Sequence, residues 1–287
     1  MDELKEQRTD RYSVEIDEDG YPVEEELYDE PQQEKPKKKS LLRKLLIRLI
    51  AVCAVVLLIE LGILLYTGQI WFNEPRKKDY PVRGPIMDDG GGEIYWSKFP
   101  KQNIQMCYLR ATKSTDSADK SFEKNWAASK GSGMPVGALH IFSLRASGKE
   151  QAENFLSAVG DLTGRLTPAV EVSPNIIEKI FSHGVNEVGS DLREFVDTVK
   201  QSCGVTPIIK CSSYAYDKYI RGEFSDCMIW YESLFSEPDG DVDWTFWEYT
   251  SRYRLESFDN SKKYLHMSVY RYSEKDFEKL IIKPKDT

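Results

Sequence analysis

The sequence predicts an α/β fold, a barrel of mainly parallel strands whose last third loses its covering helices. Two observations inside residues 84–287 carry this reading. Short apolar runs alternate with amphipathic helical patterns as far as Ser213, and later runs follow one another with little helix between them. A third observation sets that region apart: an apolar stretch divides it from a strongly charged N-terminal segment.

Residues 1–34 hold 14 acidic and 3 basic side chains, whereas residues 35–48 hold 7 bases and no acid. Acid clusters such as Asp17–Asp19 and Glu24–Glu26, with Pro22, Pro31 and Pro36, cannot bury enough apolar surface to offset the ordering of the chain. Residues 1–44 are therefore expected to be a disordered tail ending in a basic block, with Tyr12, Tyr21 and Tyr28 open to docking or phosphorylation. From Leu49 to Tyr66 there are 18 residues with one charge, Glu60. At 1.5 Å per residue such a helix spans roughly 27 Å, about a bilayer core. We assign residues 45–68 to a transmembrane helix and residues 69–83 to a linker. The preceding Lys and Arg residues put the N-terminus in the cytoplasm and the C-terminal bulk outside, a single-pass anchor in the cell membrane. Trp71 and Phe72 follow at interfacial depth. Glu60 within the span, or the acidic tail, offers a contact for a membrane-protein partner.

Strands are expected over 104–111, 135–144, 166–173 and 207–213. Helices are expected over 122–130, 149–159 and 191–202, the last with Leu192, Phe195, Val196 and Val199 on one face. Strand-like runs over 227–233, 244–250 and 265–272 precede a closing helix near 274–281. Four cysteines outside the span, Cys107, Cys203, Cys211 and Cys227, allow two disulfides in three connectivities, or remain buried thiols. No Cys stands in a CxxC pair and the three His are dispersed, so no metal site is expected. Gly90–Gly92 precede a strand-like Ile94–Trp96 and form no phosphate-binding loop, so no cofactor is expected. The one basic block abuts the apolar run, and the rest of the chain is mildly acidic, which argues against nucleic-acid binding.

Several motifs occur in one order. Leu109-Arg110-Ala111-Thr112 is followed by Asn125-Trp126 and by Met134 to Ser143. Trp96 ends an I-x-W, Pro168–Ser173 and Pro207–Ser213 form two strands, and Trp244 to Thr250 reads W-T-F-W-E-Y-T. In these residues, over roughly 84–281, the chain resembles glycoside hydrolase family 25, the muramidase lysozymes. The resemblance implies an incomplete TIM-like (β/α)5β3 barrel. It also implies peptidoglycan as partner, and cleavage between N-acetylmuramic acid and N-acetylglucosamine.

Glycoside hydrolysis needs one carboxylic acid to protonate the leaving oxygen and a second carboxylate to stabilise charge or activate water. At the family's D-x-E this chain reads Glu171-Val172-Ser173, with Ser173 in the proton donor's place. At G-x-D it reads Gly84-Pro85-Ile86, or reaches Asp88 if the loop is two residues shorter. At D-L-N it reads His266-Met267-Ser268. Glu171 and Asp88 are thus the candidate catalytic pair, with Ile86, Ser173 and His266 at replaced family positions. Trp247, Tyr249, His140, Lys113 and Lys210 are the candidate glycan-binding residues, although core packing competes for the aromatics and for His140. Glu248, where the family has Gln, suggests a structural hydrogen bond. Three functions follow: a glycan-binding or scaffold domain without turnover, an active N-acetylmuramidase, and a protein-interaction domain of a membrane complex.

Overall fold

The computed structural model describes residues 16, 18–20, 38–71, 73–260 and 263–284. Most of the expected tail, including Tyr12, Tyr21 and Tyr28, lies outside the described residues, as does Phe72. The chain divides into two compact units, residues 1–56 and 57–287. Helix α1 (Lys38–Tyr66) carries the apolar stretch. Its segment Leu41–Tyr66 has 26 residues and is long and apolar enough to cross a membrane.

In the larger unit, strands β1 (Arg83–Met87), β2 (Cys107–Lys113) and the two-residue β3 (Ser117–Ala118) precede α2 (Phe122–Ser129). Strand β4 (Val136–Ile141), α3 (Gly148–Val159) and β5 (Ala169–Val172) follow. Next come α4 (Ile176–Ile180), α5 (Val185–Cys203), β6 (Ile208–Cys211) and α6 (Ser213–Ala215), which runs into a π turn. Strands β7 (Ile229–Glu232), β8 (Trp244–Tyr253) and β9 (Leu265–Tyr270) then lead to α7 (Glu274–Phe277). The sheet runs β1-β9-β8-β7-β6-β5-β4-β2, and a parallel β1–β2 pairing closes it into an eight-stranded barrel, with β3 a hairpin appended to β2. All eight are parallel except β9, which is antiparallel to both neighbours. This is the α/β barrel expected from the alternation.

Alternation along the strands divides the core. One set packs outward under the helices, where Val170, Ile209 and Cys211 share one buried cluster with Leu192, Phe195 and Val196 of α5. The other set fills the lumen, with Tyr108, Leu139, Ala169, Ile208, Trp230 and Phe246 in one buried cluster. Rings stack through it: Tyr108 to Trp230 at 4.9 Å and Trp230 to Phe246 at 5.2 Å between centroids. Two residues nearer the carboxyl end, the same inward face turns polar. Tyr108 is followed by Arg110, Ala169 by Glu171, Ile208 by Lys210, Trp230 by Glu232 and Phe246 by Glu248. Because β9 runs the other way, His266 near its start reaches that same end.

Some expectations are corrected. Ile94–Trp96 is no strand: Ile94 makes an isolated bridge to Phe258 and Trp96 opens a 3-10 turn. Gly90 and Gly91 lie in another 3-10 turn, capped by Asp88. Of the two alternatives left open for the cysteines, Cys107, Cys211 and Cys227 take the second and are buried thiols. The helix expected over 191–202 begins earlier, at Val185, and the short α4 was not foreseen. Residues 69–83 include anchored positions. The Trp71 indole donates to the carbonyls of Tyr249 and Leu234, at 2.9 and 3.2 Å, and the buried Arg83 donates to those of Pro75 and Tyr80.

Gly137 on β4 lies against the Tyr108 ring, so that a Cβ there would overlap it. Overpacking of a filled core costs about 1–3 kcal/mol. Gly137→Ala is therefore expected to lower Tm by several degrees in a thermal melt, with the circular dichroism spectrum unchanged.

Candidate active site

The polar layer at the carboxyl end of the barrel forms a row of alternating charge. The Asp88 carboxylate caps the turn after β1 by accepting from the Gly90 amide at 3.0 Å. It pairs with the Lys263 ammonium and, at 3.2 Å, with one Arg110 nitrogen. The other terminal nitrogen of Arg110 is 3.5 Å from Glu171. The Lys210 Nζ lies 3.0 Å from both Glu171 and Glu248, and Glu248 is 2.6 Å from His266 Nδ1. Strand pairing dictates this order, since Glu171 and Lys210 are register partners on β5 and β6. Exposure falls from the ends inward. The Asp88 and His266 side chains are 24% and 36% accessible, but Lys210 and Glu248 are wholly enclosed.

Burial alone would raise the Glu171 carboxyl, but Lys210 and Arg110 outweigh it and hold the group below the usual carboxylate range. Glu248 is depressed in the same way, by Lys210 and His266 against its burial. For Lys210 burial acts downward, and the two glutamates overcome it and keep the ammonium protonated. Two carboxyls at the mouth go the other way. Burial raises Glu232, with Glu248 adding repulsion, and burial also raises Asp119 despite its backbone hydrogen bonds.

The two candidate catalytic carboxylates are therefore brought together, one guanidinium apart, with Arg110 between them. Ile86 is buried in the lumen opposite His266 in register. Ser173 follows β5, and its enclosed hydroxyl has no hydrogen-bond partner among the described residues. A cavity of about 180 Å³ opens beside the row, lined by Asp88, Arg110, Lys113 and Asp119 among others. Lys113 is exposed at its edge, 3.7 Å from Glu178.

The remaining glycan-binding candidates lie inside the protein. Trp247 is buried and donates to the Ser233 carbonyl at 2.8 Å, and Tyr249 is fully enclosed. His140 contacts Thr112 Oγ1 at 2.7 Å, stacks on Phe195 and is lowered by burial to about 4, hence neutral. Lys210 is the central cation of the row. Arg110, Glu232 and Lys263 were not singled out by the sequence, although the two-residue repeat after each lumen apolar residue marks Arg110 and Glu232. Outside the barrel, His183, Glu187 and Asp191 bring ligand atoms within 4.8 Å of one another, a group that a small cation would fit. Close contacts of 3.2 and 3.6 Å from His183 already link the three.

An eight-stranded α/β barrel with carboxylates at its mouth is an architecture that glycoside hydrolysis can use. A family model described as glycosyl hydrolases family 25 matches residues 88–258. The chain belongs to glycoside hydrolase family 25. A family 25 glycosyl hydrolase from Bacillus anthracis superposes with a TM-score of 0.66 at 30% identity, covering 73% of this chain and 97% of that one. The bacterial lysozyme from Streptomyces coelicolor gives 0.62 at 20% identity, covering 70% and 96%, a likeness of fold alone. Among curated proteins, the uncharacterized protein YegX of Escherichia coli O157:H7 is 23% identical over 215 residues, 72% of this chain and 76% of that protein. Its counterpart in strain K12 is 26% identical over 180 residues, 60% of this chain and 64% of its own length.

Removing the central cation strands two buried carboxylates, a change that typically costs about 3–5 kcal/mol. Lys210→Met is expected to show that loss in chemical denaturation at neutral pH, and Glu171→Gln with Glu248→Gln in the same chain should recover most of it. The depressed glutamates contribute stability that is fully present above the ordinary Glu value of about 4.3 and lost as pH falls through their lower folded values. Acid titration should therefore destabilise the wild type in that window more than it does Lys210→Met.

For Glu232 the sign is reversed. Its raised folded pKa opposes folding above the ordinary Glu value. Glu232→Gln should raise Tm near neutral pH, and the gain should vanish below about pH 4, where folded and unfolded carboxyls are both protonated. Equal melts at both pH values would contradict the assigned environment.

Proposed function

We propose that this barrel is a peptidoglycan-associated, lysozyme-like module that holds glycan, or scaffolds at the wall, without hydrolysing it, and that the apolar helix keeps it at the membrane. The supporting observation is the setting of Glu171. A general acid must carry its proton near working pH, and this carboxylate is held ionised by Lys210 and Arg110. The family resemblance places the donor two residues on, where Ser173 supplies only a weakly acidic hydroxyl. The cationic groups Arg110, Lys113 and Lys263 beside the cavity suit a glycan that bears carboxylates, as muramic acid and stem peptides do.

An active N-acetylmuramidase is the second reading, and one observation favours it. Glu232 is an inward-facing carboxyl whose pKa is raised, the property a proton donor needs. Asp88 would then be its partner across the mouth. A protein-interaction role remains for Glu60 or the acidic tail. The basic block before the helix supports an N-terminus in the cytoplasm and a barrel outside.

The purified chain is expected to sediment with peptidoglycan sacculi and to release no reducing ends from them. Release of muropeptides that is abolished by Glu232→Gln or Glu171→Gln would establish the hydrolase instead. Absence of both binding and release would leave the protein-interaction role. Protease added to intact cells should digest the barrel and spare the N-terminal tail.

A further inference from the structure

The turn after β5 presents apolar side chains for which the barrel has no use. Helix α4 contains no buried residue, and Ile176, Ile177, Ile180 and Phe181 are all at least 60% exposed. A full capping box nevertheless orders it. The Asn175 side chain accepts from the amides of Ile177 and Glu178, while the Glu178 carboxylate accepts from the Asn175 amide at 2.8 Å. Lys179 lies 4.2 Å over the Tyr214 ring, and Lys218 donates to the Tyr214 hydroxyl at 2.6 Å. On the same rim, in the loop after β7, Phe235 is 75% exposed. Apolar side chains interleaved with lysine and tyrosine suit the headgroup boundary of an anionic bilayer.

The chain itself ties this rim to the end of the apolar span. The Trp71 indole is hydrogen-bonded to the carbonyls of Leu234, just beyond the carboxyl end of β7, and of Tyr249, in the middle of β8. It lies five residues beyond Tyr66, where the span ends, and five residues reach at most about 18 Å. The β7 loop is therefore held within that distance of the membrane boundary. Strand β5, which carries α4, is two strands from β7, about 10 Å along the rim.

We propose that α4 and the loop after β7 dock on the lipid surface, seating Ile176, Ile177, Ile180 and Phe181 among anionic headgroups. The proposal rests on the reading that the apolar helix lies in the membrane. The site it adds is distinct from the charge row, and its ligand is a lipid surface.

The test uses the full chain, with Cys53→Ala and Cys203→Ala, in nanodiscs of phosphatidylcholine with a minority of phosphatidylglycerol. An environment-sensitive fluorophore is attached at Ile180→Cys or, as a control before β4 at the opposite end of the barrel, at Lys130→Cys. The Ile180 probe is expected to emit to the blue of the Lys130 probe and to be quenched several-fold more strongly by headgroup nitroxide lipid. Equal emission and quenching at the two sites would overturn the docking. A blue shift without lipid quenching would overturn it too, by showing that protein covers the patch. Flotation with liposomes after alkaline carbonate checks the underlying reading separately. A chain that fails to float refutes the membrane helix, whereas one that floats with a water-exposed Ile180 refutes the docking alone.

Discussion

Lys210 is an ammonium enclosed at the centre of a barrel, and the charged mouth is organised around it. A lysine so placed is tolerated only where its charge is compensated at contact distance, and two carboxylates at 3.0 Å provide this. Their own charges are carried outward by Arg110 and Asp88 on one side and by His266 on the other. Glu171, Lys210 and Glu248 thereby hold one another ionised. The row reaches water only at its ends, where screening weakens the coupling.

The lumen beneath explains why the row lies where it does. Tyr108, Trp230 and Phe246 plug the barrel, and one step nearer the carboxyl ends the inward-facing side chains of β2, β5, β6, β7 and β8 are charged. Parallel pairing then sets Glu171 beside Lys210, and the reversed β9 brings in His266. The same geometry can serve hydrolysis or binding. What separates them is whether a carboxyl keeps its proton, and at Glu171 two cations act against that.

Much of the fold was legible because its signals are local. The alternation of strand and helix patterns over 104–213 reflects burial on both faces of a parallel sheet, and the loss of helices after Cys227 appears directly as consecutive strand runs. Helix α4 was not legible, because its apolar residues face outward and produce no core-facing periodicity. Ile94–Trp96 alternates as a strand does, yet it makes a bridge and a turn, since the pairing that decides the matter is with Phe258, far along the chain. At the site, Glu171 and Asp88 could be named from motif position. Their ionisation could not, because it depends on Lys210 and Arg110, which belong to other strands. Lys210 reads as a glycan-binding candidate in the sequence, and only the side-by-side placement of β5, β6 and β8 makes it the centre of the row.

Whether the barrel holds glycan or cleaves it turns on the protonation of Glu171. A carbon-13 NMR titration of glutamate side-chain carboxyls, with this resonance assigned by its loss in Glu171→Asn, measures it directly. The midpoint is expected below the ordinary glutamate value of about 4.3, moving upward when Lys210 is replaced by Met. A midpoint near neutrality in the unaltered chain would contradict it, and would make Glu171 the proton donor of a working hydrolase.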